Sequence, residues 1–227
     1  MTAPPPTEQR PDPPRSPLIT QNELIRTLDL HESWRRRRAD GVRASLRRFD
    51  LSCLDLSGRD ISEIDLGGAI LSGAILVGTK LCRVNLFAAD LRGADLEHAD
   101  FSHADLRGAR LVNAHASHAI FFEADLRSSA RLGLDTHLTD LSGAILVKAN
   151  FSRADLSFAN LGAASLTGAD FTGATLDGAC LRDADLTAAS FRHASLSGAD
   201  LTGARLTSTD LTGAKLVGTI GIAEVSR

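Results

Sequence analysis

Residues Gly93–Ala109 read GADLEHADFSHADLRGA and contain three consecutive copies of one five-residue unit. A large apolar residue stands at the centre of each copy, at Leu96, Phe101 and Leu106. Alanine stands two places before each centre, and aspartate stands between them. A fixed internal period determines the architecture of a chain, so it takes precedence over local signals of helix or strand.

The same unit continues through most of the chain. In one phase, its centres run from Leu51 to Leu126 and again from Leu141 to Leu216, with 16 units in each block. All of these centres are Leu, Ile or Phe except Ala116, and three quarters of the positions two places earlier hold Ala. Side chains two residues apart share one face of an extended strand, so both point inward. Because five is odd, the chain must turn a corner after every unit, and glycine two places after a centre suits that bend.

The spacing of the phenylalanine centres predicts four sides per coil. Phe101 and Phe121 are separated by four units, and Phe151, Phe171 and Phe191 follow each other at the same interval. A coil of four five-residue sides would stack each series as an aromatic ladder. The step from Phe121 to Phe151 is six units, which is one coil and two further units.

The pattern breaks between the two blocks. The expected centres there would be Arg131 and Thr136, within RSSARLGLDTHLTD (Arg127–Asp140). Burial of an arginine without a partner is costly, so we expect about ten residues to leave the rod as a surface loop at about 127–140. The prediction is four coils, a loop and four coils, which places all five phenylalanines on one face.

The unit resembles the A(D/N)LXX motif of the pentapeptide repeat proteins over residues 49–218. The resemblance implies an all-β solenoid, a right-handed quadrilateral β-helix with one inward Leu or Phe and one inward Ala on each side. About eight coils at the usual strand spacing of about 4.8 Å would give a rod roughly 38 Å long. Contacts between neighbouring coils would stabilise the rod, and its ends would need caps.

The flanks of the repeat block have a different composition. All seven prolines lie within Pro4–Pro17, so residues 1–19 are predicted to be a disordered, Pro-rich leader without the apolar segment of a signal peptide. Thr20–Glu23 is a capping-box sequence that opens a predicted helical region over 20–48, laid across the lower end of the rod. Residues 219–227 are predicted to form a short C-terminal cap or tail. We expect no membrane segment, because no apolar run is long enough to span a bilayer.

Charge divides the chain into two parts. Residues 1–48 carry ten Arg and six acidic residues, a net charge of +4, whereas residues 49–218 have a net charge of −7. Cys53, Cys82 and Cys180 lie on different units at outward positions, without a CxxC pair. This use of cysteine favours a reducing compartment, and we expect a cytoplasmic protein.

No catalytic constellation stands out from the repeat. Ser and Asp are frequent because the unit recurs, and the sequence contains neither a nucleophile elbow nor a phosphate-binding glycine loop. Asp95, Asp105 and Asp155, each one place before a centre, are expected to bond local backbone or to face water. We therefore expect neither enzyme activity nor a cofactor.

Histidines form the one pattern that would suit a metal ion. His98 and His118 lie four units apart and should stack on adjacent coils, with His115 on the same coil as His118. Imidazoles at that spacing could share a soft divalent ion, but only Glu97 is at hand to complete the ligand set. The favoured interpretation is exposed histidine on a polar face, and no metal site is predicted.

The strongest basic cluster comprises Arg35–Arg38, Arg43, Arg47 and Arg48. One interpretation is contact with nucleic acid. The other is a solvated helix face whose arginines balance the negative charge of the aspartates in the first coil: Asp50, Asp55, Asp60 and Asp65. Because aromatic residues for base stacking are nearly absent, we favour the second and expect no direct nucleic-acid binding.

Two groups of residues are candidates for contact with a partner protein. The phrase GAILV occurs twice and places apolar side chains at usually polar outward positions: Ile75, Val77, Ile145 and Val147. With the loop outside the rod, both phrases lie on one face, in the second and fifth coils. Apolar points of this kind are typical of docking surfaces, although β-branched residues also simply suit a strand. The second group lies in the loop: Arg131, Leu132, Leu134 and His137.

These features favour a non-catalytic protein-interaction scaffold. The family resemblance implies an alternative: a DNA-duplex mimic that binds the type II topoisomerase DNA gyrase and protects it from quinolones or peptide toxins, an antibiotic-resistance function. The mid-rod loop resembles the loops with which quinolone-protection members touch the enzyme. Mimicry requires a continuous strip of negative potential, whereas the outward positions here mix arginine with acids, and the C-terminal helix through which such mimics dimerise is not evident. An uncovered last coil would permit a homodimer through the C-terminal coil.

Overall fold

The computed structural model describes residues 16–128 and 138–222. In these residues it contains one α-helix, α1 (Gln21–Arg35), followed by a coiled chain whose regular contacts are single-residue parallel bridges at the position before each centre. The coil-to-coil bridges run from Ser45↔Asp65 to Asp200↔Ile220 and join positions four units apart, except at the loop. Each turn of the solenoid therefore has four five-residue sides, as the phenylalanine spacing predicts.

Each side of a coil pairs its backbone with the coils above and below. The Leu96 N–H donates to the His115 carbonyl of the next coil (2.6 Å), and the Asp95 N–H donates to the Ala74 carbonyl of the previous one (2.9 Å). The Ala99 N–H donates to the Leu96 carbonyl across the corner (3.0 Å). The unit thus satisfies the donors and acceptors of a buried extended chain within five residues.

The corners explain the polar residue of the motif. The second residue after a centre adopts the left-handed conformation even where it is not glycine, as at His98 (φ 58°). The residue before the centre caps the same corner. The Asp95 carboxylate accepts the Glu97 N–H (3.3 Å), and the Asp155 carboxylate accepts the Ser157 N–H (3.0 Å). These Asx turns confirm that the aspartates bond local backbone.

The core is a stack of inward alanines and leucines with one aromatic ladder. Its rungs are fully buried: Phe101, Phe121, Phe151, Phe171 and Phe191. Successive ring centroids lie 4.7 or 5.0 Å apart, with planes within 5° of parallel. Burial of one such side chain contributes about 1.5–3 kcal/mol. The single ladder confirms that all five rings share one face.

The predicted register shift occurs between the two blocks of repeats. Arg110 bridges Asp140, and Asp125 bridges Asp155, so these pairs are separated by six units instead of four. The register between the two blocks therefore shifts by two units, or ten residues. The two flanking coils stack directly on each other, as the phenylalanine spacing requires.

Thr139 fixes the point at which the chain rejoins the coil. Its side chain is fully buried at a position that alanine usually occupies. The Thr139 hydroxyl donates to the Arg127 carbonyl (3.0 Å) and accepts the Gly108 N–H (2.8 Å). The Thr139 N–H donates to Ser128 Oγ (3.0 Å). One hydroxyl thus satisfies a backbone carbonyl just before the insertion and a backbone N–H in the coil below.

Helix α1 lies against the lowest coil. It begins with a capping box in which Thr20 Oγ1 accepts the Glu23 N–H (3.3 Å) and the Glu23 carboxylate accepts the Thr20 N–H (2.9 Å). Leu24 and Leu28 are buried on its inner face. Within the described part of the chain, no helix is long and apolar enough to cross a membrane.

The chain before the helix also joins the rod. The Asp50 N–H donates to the Pro17 carbonyl (2.9 Å), and Leu18 forms a parallel bridge with Asp50. The leader predicted for residues 1–19 is therefore too long at its C-terminal end. The physical reason is that the lower edge of the first coil offers unpaired N–H groups, which a preceding segment can satisfy. Residues 1–15 lie outside the described residues.

Candidate interaction surfaces

The two GAILV phrases lie on one side of the rod. Bridges join Ile75 to Asp95, Asp95 to His115, and His115 to Ile145 in a single row. Ile75 and Ile145 are 41% and 39% exposed. Because Asp95 and His115 lie between them, they form two separate apolar points about 14 Å apart, at about 4.8 Å per coil, and not one patch. The valines of the two phrases are half-buried: Val77 and Val147.

Two histidines stack at the corner that follows this row. The rings of His98 and His118 stack with centroids 4.9 Å apart and planes 17° from parallel, as their spacing predicts. His98 Nε2 lies 3.8 Å from the Glu97 carboxylate. In residues 16–128 and 138–222, no three His, Cys, Asp or Glu side chains come together in a metal-binding arrangement.

The loop candidates cannot be placed beside these residues, because Arg131, Leu132, Leu134 and His137 lie outside the described residues. The described chain resumes at Leu138, which is 51% exposed. The Asn160 N–H donates to the Thr139 carbonyl (2.9 Å), so the coil that carries Phe158 lies directly above this point. Phe158 is 57% exposed. An aliphatic and an aromatic side chain thus lie at the base of the loop.

Phe158 is an exposed aromatic residue at a corner. It stands two places after a centre, with φ 60°, where the chain usually has glycine or a small or polar residue. Its ring extends over Gly178 of the next coil, where a Cβ atom would come within 2.5 Å of the ring. Glycine at residue 178 therefore gives the Phe158 ring room to lie along the corner.

Ion pairs join α1 to the first coil in both directions. Arg35 of the helix pairs with Asp60 of the coil, and Arg59 of the coil pairs with Asp29 of the helix (3.3 Å). Burial alone would raise the pKa of the Asp60 carboxyl, but hydrogen bonds from Arg35 and Ser62 outweigh it and hold that pKa below its usual value. Arg35 of the basic cluster therefore forms an ion pair with Asp60, one of the acidic residues of the first coil.

A groove of about 380 Å³ lies beside the same contacts. Trp34, Arg35, Arg37 and Glu63 line it, and the Arg43 guanidinium lies 5.6 Å from the centroid of the Trp34 ring. The groove is half open, and both positively and negatively charged side chains line it. Pockets that hold small molecules are typically enclosed and mostly apolar.

Acidic residues form a short row on one side of the rod. Among the described residues, the longest uninterrupted run of acids at the bridge positions is Asp105, Asp125 and Asp155. Arg107 pairs with Asp105 (2.7 Å) and approaches Asp125 (3.6 Å), while Arg127 pairs with Asp125 (2.7 Å) and approaches Asp155 (3.5 Å). The hydrogen bond to Asp125 raises the pKa of the Arg127 guanidinium. The row therefore alternates in charge and is not a strip of negative potential.

The last coil has an open upper edge. Among the described residues, the backbone N–H groups of Leu206, Leu211 and Leu216 have no acceptor, whereas one coil lower the Leu186 N–H donates to the Arg205 carbonyl (2.9 Å). The inward side chains of the last coil are only partly buried. Apolar surface and unpaired backbone donors thus coincide at this end of the rod.

A comparison with protein-family models matches the pentapeptide repeats in eight copies, over residues 50–86, 89–127, 137–173, 149–187 and 184–220. The chain belongs to the pentapeptide repeat family. Pentapeptide repeat proteins are right-handed quadrilateral β-helices, in agreement with the four-sided coil described above. They are generally non-enzymatic structural or interaction proteins.

Solved pentapeptide repeat structures resemble the chain to different degrees. A trypsin-treated form of QnrB1, a plasmid-mediated fluoroquinolone resistance protein, is 24% identical, with 74% of this chain and 91% of QnrB1 covered and a TM-score of 0.56. HetL, involved in heterocyst differentiation regulation in the cyanobacterium Nostoc sp. strain PCC 7120, is 38% identical, with 79% and 83% covered and a TM-score of 0.31. A pentapeptide repeat protein of the Arabidopsis thaliana thylakoid lumen is 30% identical, with 55% and 66% covered and a TM-score of 0.33. No curated protein matches the sequence.

Two further features of the surface and the cap are not among the residues predicted from the sequence. Phe158 could have been found, because it is a large apolar residue at an outward corner position. His31 could have been found from helical spacing, because it follows Leu24 and Leu28 on one face at i, i+4 and i+7. It is fully buried at the contact between α1 and the first coil.

Proposed function

We propose that this pentapeptide repeat protein is a non-catalytic interaction scaffold that binds a partner protein around its loop. The observation that carries the proposal is the exposed pair at the base of the loop, Leu138 and Phe158, on a surface otherwise built mostly from polar corners. The frame is a rod of about eight coils, roughly 38 Å long at about 4.8 Å per coil, with α1 as its lower cap. We also propose a cytoplasmic location, because three free thiols suit a reducing compartment: Cys53, Cys82 and Cys180.

The loop supplies the specific contacts in this proposal. Aromatic and arginine side chains are enriched among the residues that dominate protein interfaces, and the loop with its base combines both. The proposed contacts are Arg131, Leu132, Leu134, His137, Leu138 and Phe158. The GAILV phrases form a second, separate contact, with Ile75 and Ile145 exposed on one side of the rod.

A quantitative capture experiment tests the scaffold proposal. Partner proteins would be captured from cross-linked extracts of the native host with three forms of the protein: the unmodified chain, a variant lacking residues 129–138, and Phe158→Ser. The control is Thr207→Ser, at an exposed outward corner of the last coil. We expect the same partner in the unmodified and control captures and at least a tenfold loss in the other two. Equal recovery with all four proteins would contradict the proposal.

The second candidate function is mimicry of DNA toward a type II topoisomerase. It is favoured by the likeness of fold to QnrB1, a fluoroquinolone resistance protein, and by the insertion in mid-rod. The alternation of charge along one row of the rod argues against mimicry, because the phosphates of DNA present a continuous negative charge. The row contains Asp105, Arg107, Asp125 and Arg127. The test is DNA gyrase supercoiling with and without a quinolone. Unchanged activity in both conditions at micromolar protein would exclude this function.

The open last coil supports a further proposal, an end-to-end homodimer. On its Leu211 side, the Leu211 N–H and the Thr209 carbonyl both lack a partner among the described residues. Antiparallel pairing of two such edges matches each donor with an acceptor. We expect Leu211→Arg to convert a dimer into a monomer in light scattering, whereas Thr207→Arg, an outward change in the same coil, leaves it dimeric. A monomer at high concentration for the unmodified protein would refute the pairing.

A further inference from the structure

His31 is a fully buried titratable residue between α1 and the first coil. Its Nε2 lies 2.9 Å from the Ser62 carbonyl oxygen of the first coil. Its Nδ1 accepts the N–H of Ala44, in the segment that leads into the coil (3.2 Å). The ring stacks on Trp34, with centroids 5.4 Å apart and planes 19° from parallel. One imidazole thus joins the helix, the following segment and the first coil.

These two hydrogen bonds fix the protonation state of His31. A backbone N–H can only donate, so Nδ1 must carry a lone pair toward Ala44. A carbonyl can only accept, so Nε2 must carry the hydrogen toward Ser62. The ring is therefore neutral. A second proton would place a donor at Nδ1 against the Ala44 N–H and would remove that hydrogen bond.

The surroundings of His31 oppose the charged form. Burial is the largest cause that lowers the pKa of His31, and the charges of Arg35 on α1 and Arg43 on the following segment lower it further. The hydrogen bond to the Ser62 carbonyl and the charge of Glu63 on the first coil act in the opposite direction and are outweighed.

Arg35 and Arg43 are both held in place near the imidazole. Arg35 pairs with Asp60 of the first coil, and Arg43 Nε donates to the Glu63 carbonyl (3.0 Å). They therefore cannot easily move away from a protonated ring. The repulsion between a protonated His31 ring and these two guanidinium groups is therefore relieved when the helix and the segment after it separate from the coil.

We propose that His31 is an acid-sensitive latch whose protonation releases α1 from the first coil of the β-helix. Release breaks the Ala44 and Ser62 contacts together and uncovers the apolar surface against which Leu24 and Leu28 pack. The coils above do not depend on this contact, because each pairs with its own neighbours. Acid therefore opens the lower end of the rod and leaves the ladder intact. This regulation is independent of the partner proposed for the loop.

Trp34 provides a direct optical readout, because it is the only tryptophan in the chain. We expect Trp34 emission to change in a one-proton transition below the ordinary histidine pKa of 6.5, with the released fraction rising about tenfold for each further pH unit. The protection factor of the Ala44 amide, which is the exchange rate of an unfolded chain at the same pH divided by that of this amide, should fall over the same range. Exchange at the Leu161 amide in the upper coils should stay slow.

His31→Gln is the decisive variant, and His193→Gln, at an exposed corner, is its matched control. The acid transition should disappear in the first and persist in the second. Because loss of the ring can itself release the helix at every pH, the ring nitrogens of His31 are also followed by NMR in the unmodified protein. The proposal is overturned if the transition persists in His31→Gln, or if the ring stays neutral while Ala44 loses protection.

Discussion

The ring of Phe121 stacks on the ring of Phe151 with centroids 4.7 Å apart, although an insertion of ten residues separates their coils in sequence. The planes are 3° from parallel, as close as at any other step of the ladder. The insertion therefore does not alter the stacking of the aromatic rings in the core. This relationship makes the loop separable from the rod, because the contacts that stabilise the solenoid pass directly between the coils on either side.

Deletion of residues 129–138 should therefore leave the rod intact. The deletion joins Ser128 to Thr139 in the phase of the repeat, so every inward position is kept. Shortening a closed loop lowers its entropic cost, and we expect a melting temperature equal to or slightly above that of the unmodified protein. Circular dichroism during heating measures it. A loss of the β signal at room temperature would show that the loop is needed for the stacking of its flanking coils.

Removal of the Thr139 hydroxyl should destabilise the junction. In Thr139→Val, the buried Gly108 N–H loses its acceptor, and an unsatisfied buried donor costs about 1–3 kcal/mol. Thr139→Ser is the matched control, because it keeps the hydroxyl that donates to the Arg127 carbonyl. Chemical denaturation of the three proteins gives the difference. Equal stability of the valine and serine variants would mean that the hydrogen bonds of Thr139 are replaced by water.

The ladder should be sensitive to loss of a ring and tolerant of leucine. Phe151→Ala removes a fully buried ring between two others and should cost about 3–5 kcal/mol. Phe151→Leu restores the residue that most units carry and should cost no more than about 1.5 kcal/mol. Phe158→Ala, at the exposed corner, should change stability by no more than about 0.5 kcal/mol. Similar losses at residues 151 and 158 would contradict the assignment of one ring to the core and the other to the surface.

The sequence predicts the inside of this protein far better than its outside. Phe121 and Phe151 could be paired from spacing alone, because burial restricts the inward positions to residues of one size and the period shows where they recur. Phe158 escapes such reasoning, because outward positions accept almost any residue that fits the corner. The direction of the Phe158 ring over Gly178 depends on a neighbour in the next coil, which periodicity does not report.

The lower end shows the same limit for a different reason. Arg59 stands at an inward position that alanine usually occupies, yet it pairs with Asp29 of α1. The first coil accepts this because α1, and not another coil, supplies the partner of Arg59. His31 is likewise buried by a contact between segments of different type. The periodicity of the sequence treats every coil as equivalent, so it could predict neither the Arg59–Asp29 ion pair nor the burial of His31.

Asp210, in the last coil, should titrate well below an ordinary aspartate. The Thr212 side chain and N–H, followed by Arg192, lower the pKa of Asp210 from 3.8 to about 2. The N–H donates to one carboxylate oxygen (2.9 Å), and the guanidinium donates to the other (3.0 Å). Because the folded-state pKa lies below the unfolded one, the folded chain binds fewer protons between these values. The stabilisation is therefore complete above about pH 4 and is lost as the pH falls through about 2.

An NMR titration of the Asp210 carboxyl measures this directly. Arg192→Gln removes the guanidinium hydrogen bond and should raise the pKa of Asp210 partially, whereas Thr212→Val removes the stronger influence of the Thr212 hydroxyl and should raise that pKa more. The order of the two variants is the informative result, since it separates the local corner from the ion pair that reaches it from the coil below. A midpoint near 3.8 in the unmodified protein would mean that the corner of the last coil is open in solution, with its Asx turn unformed.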